Sequence, residues 1–149
     1  MSIRVGIMGY GNLGRGVELA LAQNPDMTLC AVFTRRDPES VHTAFKNVPV
    51  YKSEKALEMK DEIDVMILCG GSATDLPKQT PEYAKYFNVV DSFDNHSRIP
   101  EYFKAMDDAA GDAGHVAVIS TGWDPGIFSL ERTLANAFLP GSRAYGFYG

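Results

Sequence analysis

Ile3-Arg-Val-Gly-Ile-Met8, a short apolar run, leads directly into Gly9-Tyr-Gly-Asn-Leu-Gly14, a GxGxxG that feeds a helix-patterned stretch. In that order the three glycines have separate tasks. Gly9 permits the tight turn out of the strand, Gly11 lets backbone approach a pyrophosphate, and Gly14 lets helix and strand pack closely, with helix N–H groups facing the anion. Working outward, Leu13, Val17, Ala20 and Leu21 fall on one helical face, Asn24-Pro-Asp26 ends the helix, and Leu29-Cys-Ala-Val-Phe33 supplies the next buried strand. The pattern predicts a complete βαβ unit that binds a nucleotide.

The residues after the second strand select the nucleotide. NAD-type folds place Asp or Glu about twenty residues past the glycines to bond the ribose 2′-hydroxyl. This chain has Thr34-Arg35-Arg36 there. Two guanidiniums and a hydroxyl suit a 2′-phosphate, because the planar fork gives phosphate oxygens directed, charge-assisted hydrogen bonds. The expected cofactor is NADP; the bland reading is a solvated pair of loop arginines.

Further along, Val48-Pro-Val-Tyr51 reads as a short strand, Ser53 to Lys60 as a surface helix, and Ile63 to Cys69 as a buried strand ending in Gly70-Gly-Ser72. A helix from Asp75 to Phe87 contains Pro77 and Pro81, which implies an irregular first turn or a second start at Thr80. Asn88-Val-Val90 is the next strand. A helix from near Pro100, with Phe103, Met106 and Ala110 inward, stops around Gly114 before a buried strand at Val116-Ala-Val-Ile-Ser120. Thr121-Gly-Trp-Asp-Pro-Gly126 then opens a helix in which Ile127, Leu130, Leu134 and Phe138 share a face. The alternation predicts an α/β, Rossmann-type, doubly wound and mainly parallel sheet, with ligands outside the carboxyl ends of its strands. Residues 1–140 form the nucleotide-binding domain, and residues 141–149 read as the start of a second-domain strand that is cut off, as in a fragment.

On this topology Asp91, Asp94, Asn95, His96, Trp123 and Asp124 gather at the nicotinamide end. Each also has a plainer reading: Asp91 or Asp94 as a turn cap, His96 as a solvated loop residue, Trp123 as core. With 149 residues, 45% apolar content, a net charge of −5 and dispersed basic residues, the chain suits one globular core and a small soluble ligand, not nucleic acid or a membrane. Cys30 and Cys69 lie inside strand patterns and read as reduced core thiols, which points to the cytoplasm. No metal-ligand spacing is present, so no metal is assigned.

Gly9-Tyr-Gly-Asn-Leu-Gly-Arg15, Phe33-Thr-Arg-Arg36, Gly71-Ser-Ala-Thr-Asp75, Asp94-Asn-His96 and Ser120-Thr-Gly-Trp-Asp-Pro-Gly126 together resemble the meso-diaminopimelate dehydrogenase family. The resemblance implies NADP-dependent, reversible oxidation of the D-configured amino centre of meso-2,6-diaminopimelate to L-2-amino-6-oxopimelate and ammonia, in lysine biosynthesis. It puts cofactor contacts on Tyr10, Gly11, Asn12 and Leu13, between the Gly9 and Gly14 that the glycine motif already assigns to the nucleotide; on Thr34, Arg35 and Arg36; on Cys69, Gly70, Gly71 and Ser72; on Ser92, Phe93 and Asp94; and on Thr121, Gly122, Trp123, Asp124 and Pro125. Substrate contacts fall on Asp94, Asp124 and Tyr148, the last standing where family members carry Trp. Family members continue into a substrate and dimerisation domain and are homodimers when full-length.

The resemblance also implies a division of labour. Hydride leaves only from a neutral amine, so Asp94 and Asp124 would act catalytically by binding the ammonium and easing its deprotonation. Two rival readings stand beside this one: another NADP-dependent amino-acid or aldehyde dehydrogenase, and a non-catalytic NADP-binding module.

Overall fold

The computed structural model describes residues 2–141 and 143. Tyr148 and nearly all of the expected second-domain strand lie outside the described residues. Among the described residues six strands form one sheet: β1 (Ile3–Met8), β2 (Met27–Thr34), β3 (Val50–Lys52), β4 (Val65–Leu68), β5 (Asn88–Asp91) and β6 (Ala117–Val118). Their spatial order is β3-β2-β1-β4-β5-β6, and every pairing is parallel. Parallel neighbours need crossovers, and four α-helices accompany them: α1 (Asn12–Leu21), α2 (Leu76–Tyr83), α3 (Ile99–Ala113) and α4 (Ile127–Phe138). The strand order reverses between β1 and β4, which makes the loops at their carboxyl ends the place for a ligand.

Period-two alternation divides the core. Val5, Ile7 and Val32 pack on the face shared with Leu21 of α1, while Met8, Phe33, Met66 and Leu68 pack on the face shared with Leu76, Tyr102 and Met106 of α2 and α3. The βαβ reading of the first 34 residues holds, with one correction to the inward face of α1. Gly14, Glu18 and Leu21 are buried there, whereas Leu13 and Ala20 are exposed. Glu18 tolerates burial because its carboxylate accepts hydrogen bonds from the Tyr10 hydroxyl and from the Ala44 and Phe45 backbone N–H groups at 2.9 and 3.0 Å.

Other departures have local causes. Ser53–Met59 is a 3₁₀ segment with Ala56 and Met59 buried, not a surface helix. The helix expected to reach Phe87 ends at Tyr83; Pro77 lies in its first turn and Pro81 inside it. In α3 the inward aromatic is Tyr102, stacked on Phe93 with ring centroids 4.0 Å apart, while Phe103 is exposed. The expected buried strand 116–120 contracts to Ala117–Val118 at the sheet edge, where Val116 and Val118 face solvent. The apolar face of α4 exists as read, yet Ile127, Leu130, Leu134 and Phe138 are all exposed among the described residues.

Candidate functional site: the carboxyl edge of the sheet

The first loop joins β1 to α1. Gly9 has φ +93°, a conformation L side chains rarely adopt, and its N–H donates to the Phe33 carbonyl at 2.8 Å, tying the turn to β2. A Cβ on Gly14 would sit 2.3 Å from the Gly9 carbonyl oxygen, so the helix approaches the turn as closely as it does only because Gly14 has none. Gly11 has open space where its side chain would be, which leaves backbone accessible to an incoming anion at the start of α1.

Beside that loop, a cavity of about 260 Å³ is lined by the glycine turn, Thr34, Arg35, Arg36, Cys69, Gly70, Gly71 and Asp75. Thr34 is buried, and its hydroxyl oxygen accepts the Arg36 N–H at 3.1 Å. The Arg36 guanidinium donates to the Tyr10 carbonyl, and Arg35 forks onto Asp75 at 2.9 and 3.0 Å. Both arginines thus stand at the rim with donors to spare, since a guanidinium has five N–H groups. Cys69 contributes backbone and not chemistry: burial pushes its thiol up to about 12, so it stays protonated. Its N–H donates to the Met8 carbonyl at 2.8 Å.

At the other end, a cavity of about 600 Å³ is lined by Leu13, Ser92, Phe93, Asp94, Ser120, Thr121, Gly122, Trp123, Asp124, Pro125 and Ile127. Of the residues expected at the nicotinamide end, Asp94, Trp123 and Asp124 line this space, whereas Asp91, Asn95 and His96 do not. Trp123 is 71% exposed and stacks on Phe128 with centroids 5.6 Å apart. The two carboxylates differ. Asp124 receives a guanidinium fork from Arg132 at 2.8 and 2.5 Å and the Ser129 hydroxyl at 3.0 Å, and the Arg132 hydrogen bonds hold its pKa at about 2. Asp94 is exposed; its backbone N–H donates to the Ser72 hydroxyl at 2.9 Å, which links the loops after β4 and β5. His96 reaches the Asp124 backbone carbonyl at 3.2 Å, and Asn95 accepts from Ser97 at 2.9 Å within its own turn.

Asp91 lies outside this lining and holds the loops from beneath. Its buried carboxylate accepts from Thr80 at 2.9 Å, from the Phe93 and Ser120 N–H groups at 3.1 and 3.0 Å, and from the Tyr102 hydroxyl. Sequence reasoning passed over Ser120, which has φ +58° and a buried, unpartnered hydroxyl at the cavity wall. Strain of this kind collects at binding sites, but only coordinates reveal it. It also passed over Asp75, Ser129 and Arg132. The last two lie three residues apart on one face of α4, a spacing visible in the sequence. Among the described residues no group of three or more His, Cys, Asp or Glu could hold a metal ion, and no helix is long and apolar enough to cross a membrane.

A parallel sheet with a glycine turn at its switch point and two cavities along its carboxyl edge defines a Rossmann-type dinucleotide-binding unit. The chain matches the N-terminal part of the meso-diaminopimelate D-dehydrogenases. It is 62% identical over 148 residues, 99% of its own length, to the enzyme of Lysinibacillus sphaericus, and 45% identical over 148 residues to that of Corynebacterium glutamicum. It spans 45% of the length of each. No family model matches. Among solved structures, a Clostridium tetani meso-diaminopimelate dehydrogenase mutant with diaminopimelate superposes with TM-score 0.83 at 54% identity, over 95% of this chain and 43% of that one. The C. glutamicum enzyme in complex with diaminopimelate gives 0.81 at 47%, over 93% of this chain and 42% of that one. Homoserine dehydrogenase of S. aureus, 16% identical with TM-score 0.62, shares the fold alone.

Proposed function

We propose that this chain is the NADP-binding part of an enzyme that oxidises the D-centre of meso-2,6-diaminopimelate to L-2-amino-6-oxopimelate and ammonia, reversibly. The observation that carries the reading is the pairing of two sites on one sheet edge: a basic, hydroxyl-bearing rim after β2 and a roomy cavity flanked by Asp94 and Asp124. Support comes from the diaminopimelate bound in two related structures and the NADP+ bound in an engineered D-amino acid dehydrogenase that is 47% identical.

The residues fit that cofactor. Open space at Gly11 admits the pyrophosphate, while Thr34, Arg35 and Arg36 supply a hydroxyl and two guanidiniums for the 2′-phosphate. Bound nicotinamide would supply the hydride acceptor. The protein's own part is alignment and proton handling. Asp124, held as an anion by Arg132 and Ser129, is the carboxylate that attracts the substrate ammonium. Asp94, exposed at the cavity wall, is the second carboxylate of this reading and would ease deprotonation of the ammonium, with water as the proton path. Trp123 and Leu13 both line that cavity, and Trp123 gives it an aromatic wall. Tyr148 as a further substrate contact belongs to the same proposal, as do full-length homodimers and a cytoplasmic location, the last in keeping with two free thiols.

A chimera tests this. Residues 1–141 joined to the remainder of the L. sphaericus enzyme should oxidise meso-diaminopimelate with NADP and spare simple aldehydes. The 149-residue chain alone should bind NADPH but turn substrate over poorly, because closure around both ends of the substrate is needed for alignment and water exclusion. A chimera that folds and binds NADPH yet ignores diaminopimelate contradicts the assignment.

A further inference from the structure

Arg35 follows β2 and Asp75 precedes α2, so the fork between them joins the two loops that flank the glycine turn of β1. The partners are unequal. The Arg35 side chain is 68% exposed, whereas that of Asp75 is only 17% exposed and is pinned by the Gly71 N–H at 3.0 Å. Asp75 is further fixed through its own N–H, which donates to the Gly71 carbonyl at 2.8 Å. A fixed carboxylate therefore holds an exposed guanidinium at the mouth of the cavity. Of the five N–H groups of Arg35, the fork occupies two and leaves three for another anion. Arg35, Arg36 and Asp75 are the charged residues lining that cavity, a net excess of one positive charge.

We propose that Asp75 is a positioning residue for recognition of the cofactor's 2′-phosphate: it orients the Arg35 guanidinium before the nucleotide arrives. The proposal rests on the NADP reading of the site. An exposed arginine loses rotamer freedom when it captures a phosphate, and a guanidinium already held in one plane loses less. Asp75 itself touches no part of the nucleotide in this account; it acts through Arg35.

Dissociation constants for NADPH and NADH, measured by fluorescence titration on the protein, Asp75→Asn, Arg35→Ala and the double variant, decide it. Asparagine keeps an acceptor for the Gly71 N–H and removes only the charged fork. The protein should prefer NADPH; Asp75→Asn should raise its NADPH constant about 3- to 10-fold and its NADH constant less than about 2-fold. On the Arg35→Ala background, Asp75→Asn should add almost nothing. Tighter or unchanged NADPH binding in Asp75→Asn, equal losses for both nucleotides, or a full effect without Arg35 would each overturn the proposal. Should circular dichroism show Asp75→Asn unfolded, Arg35→Lys decides instead: it keeps the charge, cannot fork onto Asp75, and should lose NADPH affinity nearly as Arg35→Ala does, so affinity like that of the unaltered protein refutes the role. A protein that binds NADPH and NADH equally overturns the NADP reading itself and this proposal with it.

Discussion

Asp94 and Asp124 are alike in sequence and differ in environment, and that difference sets their predicted behaviour. Arg132 and Ser129 hold Asp124 at about pKa 2 against an ordinary 3.8. A depressed folded pKa means the interaction contributes stability above the unfolded value and loses it as pH falls through about 2. Carboxyl ¹³C titration should therefore show Asp124 ionised throughout the working range and, in Arg132→Met, returned toward its ordinary value; an unmoved titration would remove Arg132 from the account. In the chimera, Asp94→Asn and Asp124→Asn should each lower kcat/KM by tens to hundreds of fold, roughly 2–3 kcal/mol, with NADPH affinity little changed. If Asp94→Asn is nearly silent, the proton path runs elsewhere. Asp94 and Asp124 were legible as candidates because each follows a strand end. Arg132, eight residues beyond Asp124, belongs to a helix that reads as a hydrophobic stripe, and a long side chain folding back across a turn leaves no mark on that pattern. Asp75 stands in a motif quoted from the sequence, but its pairing with Arg35 was not legible, because the partner lies forty residues away.

At the scale of elements, glycines and one buried carboxylate hold the loops in register. Gly14→Ala would drive a methyl against the Gly9 carbonyl, a backbone contact with no flexible side chain to yield. It should cost about 1–3 kcal/mol in urea denaturation, and an unchanged midpoint would show that α1 is free to shift. Asp91→Ala should cost more, about 3 kcal/mol or above, because it strands donors from Thr80, Tyr102 and the Phe93 and Ser120 backbone at once. A loss below about 1 kcal/mol would mean that water replaces the carboxylate. The βαβ start was readable because glycine spacing, helix period and strand composition agree there. The ends of that agreement are instructive. Glu18 interrupts the apolar face of α1 because its partners come from residues 44 and 45, a tertiary match that periodicity does not encode. β6 reads as core by composition, but a strand at the sheet edge has only part of its surface covered.

Across the whole molecule, fold class followed from strand and helix alternation, whereas which apolar faces are covered did not, since composition is the same on a face that packs and one that waits for a partner. The α4 stripe shows this: Leu130 is 65% and Phe138 81% exposed. A contiguous apolar patch of that kind favours association. Sedimentation of the 149-residue chain should reveal concentration-dependent self-association that Leu134→Glu weakens; a strictly monomeric chain at high concentration would contradict it. If the carboxyl edge of the sheet is an NADP site selected by the rim after β2, calorimetric titration of the chain with NADPH and with NADH, and of Arg36→Ala with both, should show clear preference for NADPH and a loss of about 1–3 kcal/mol in the variant that NADH does not share. Equal affinity for the two nucleotides, or equal losses in the variant, would contradict it.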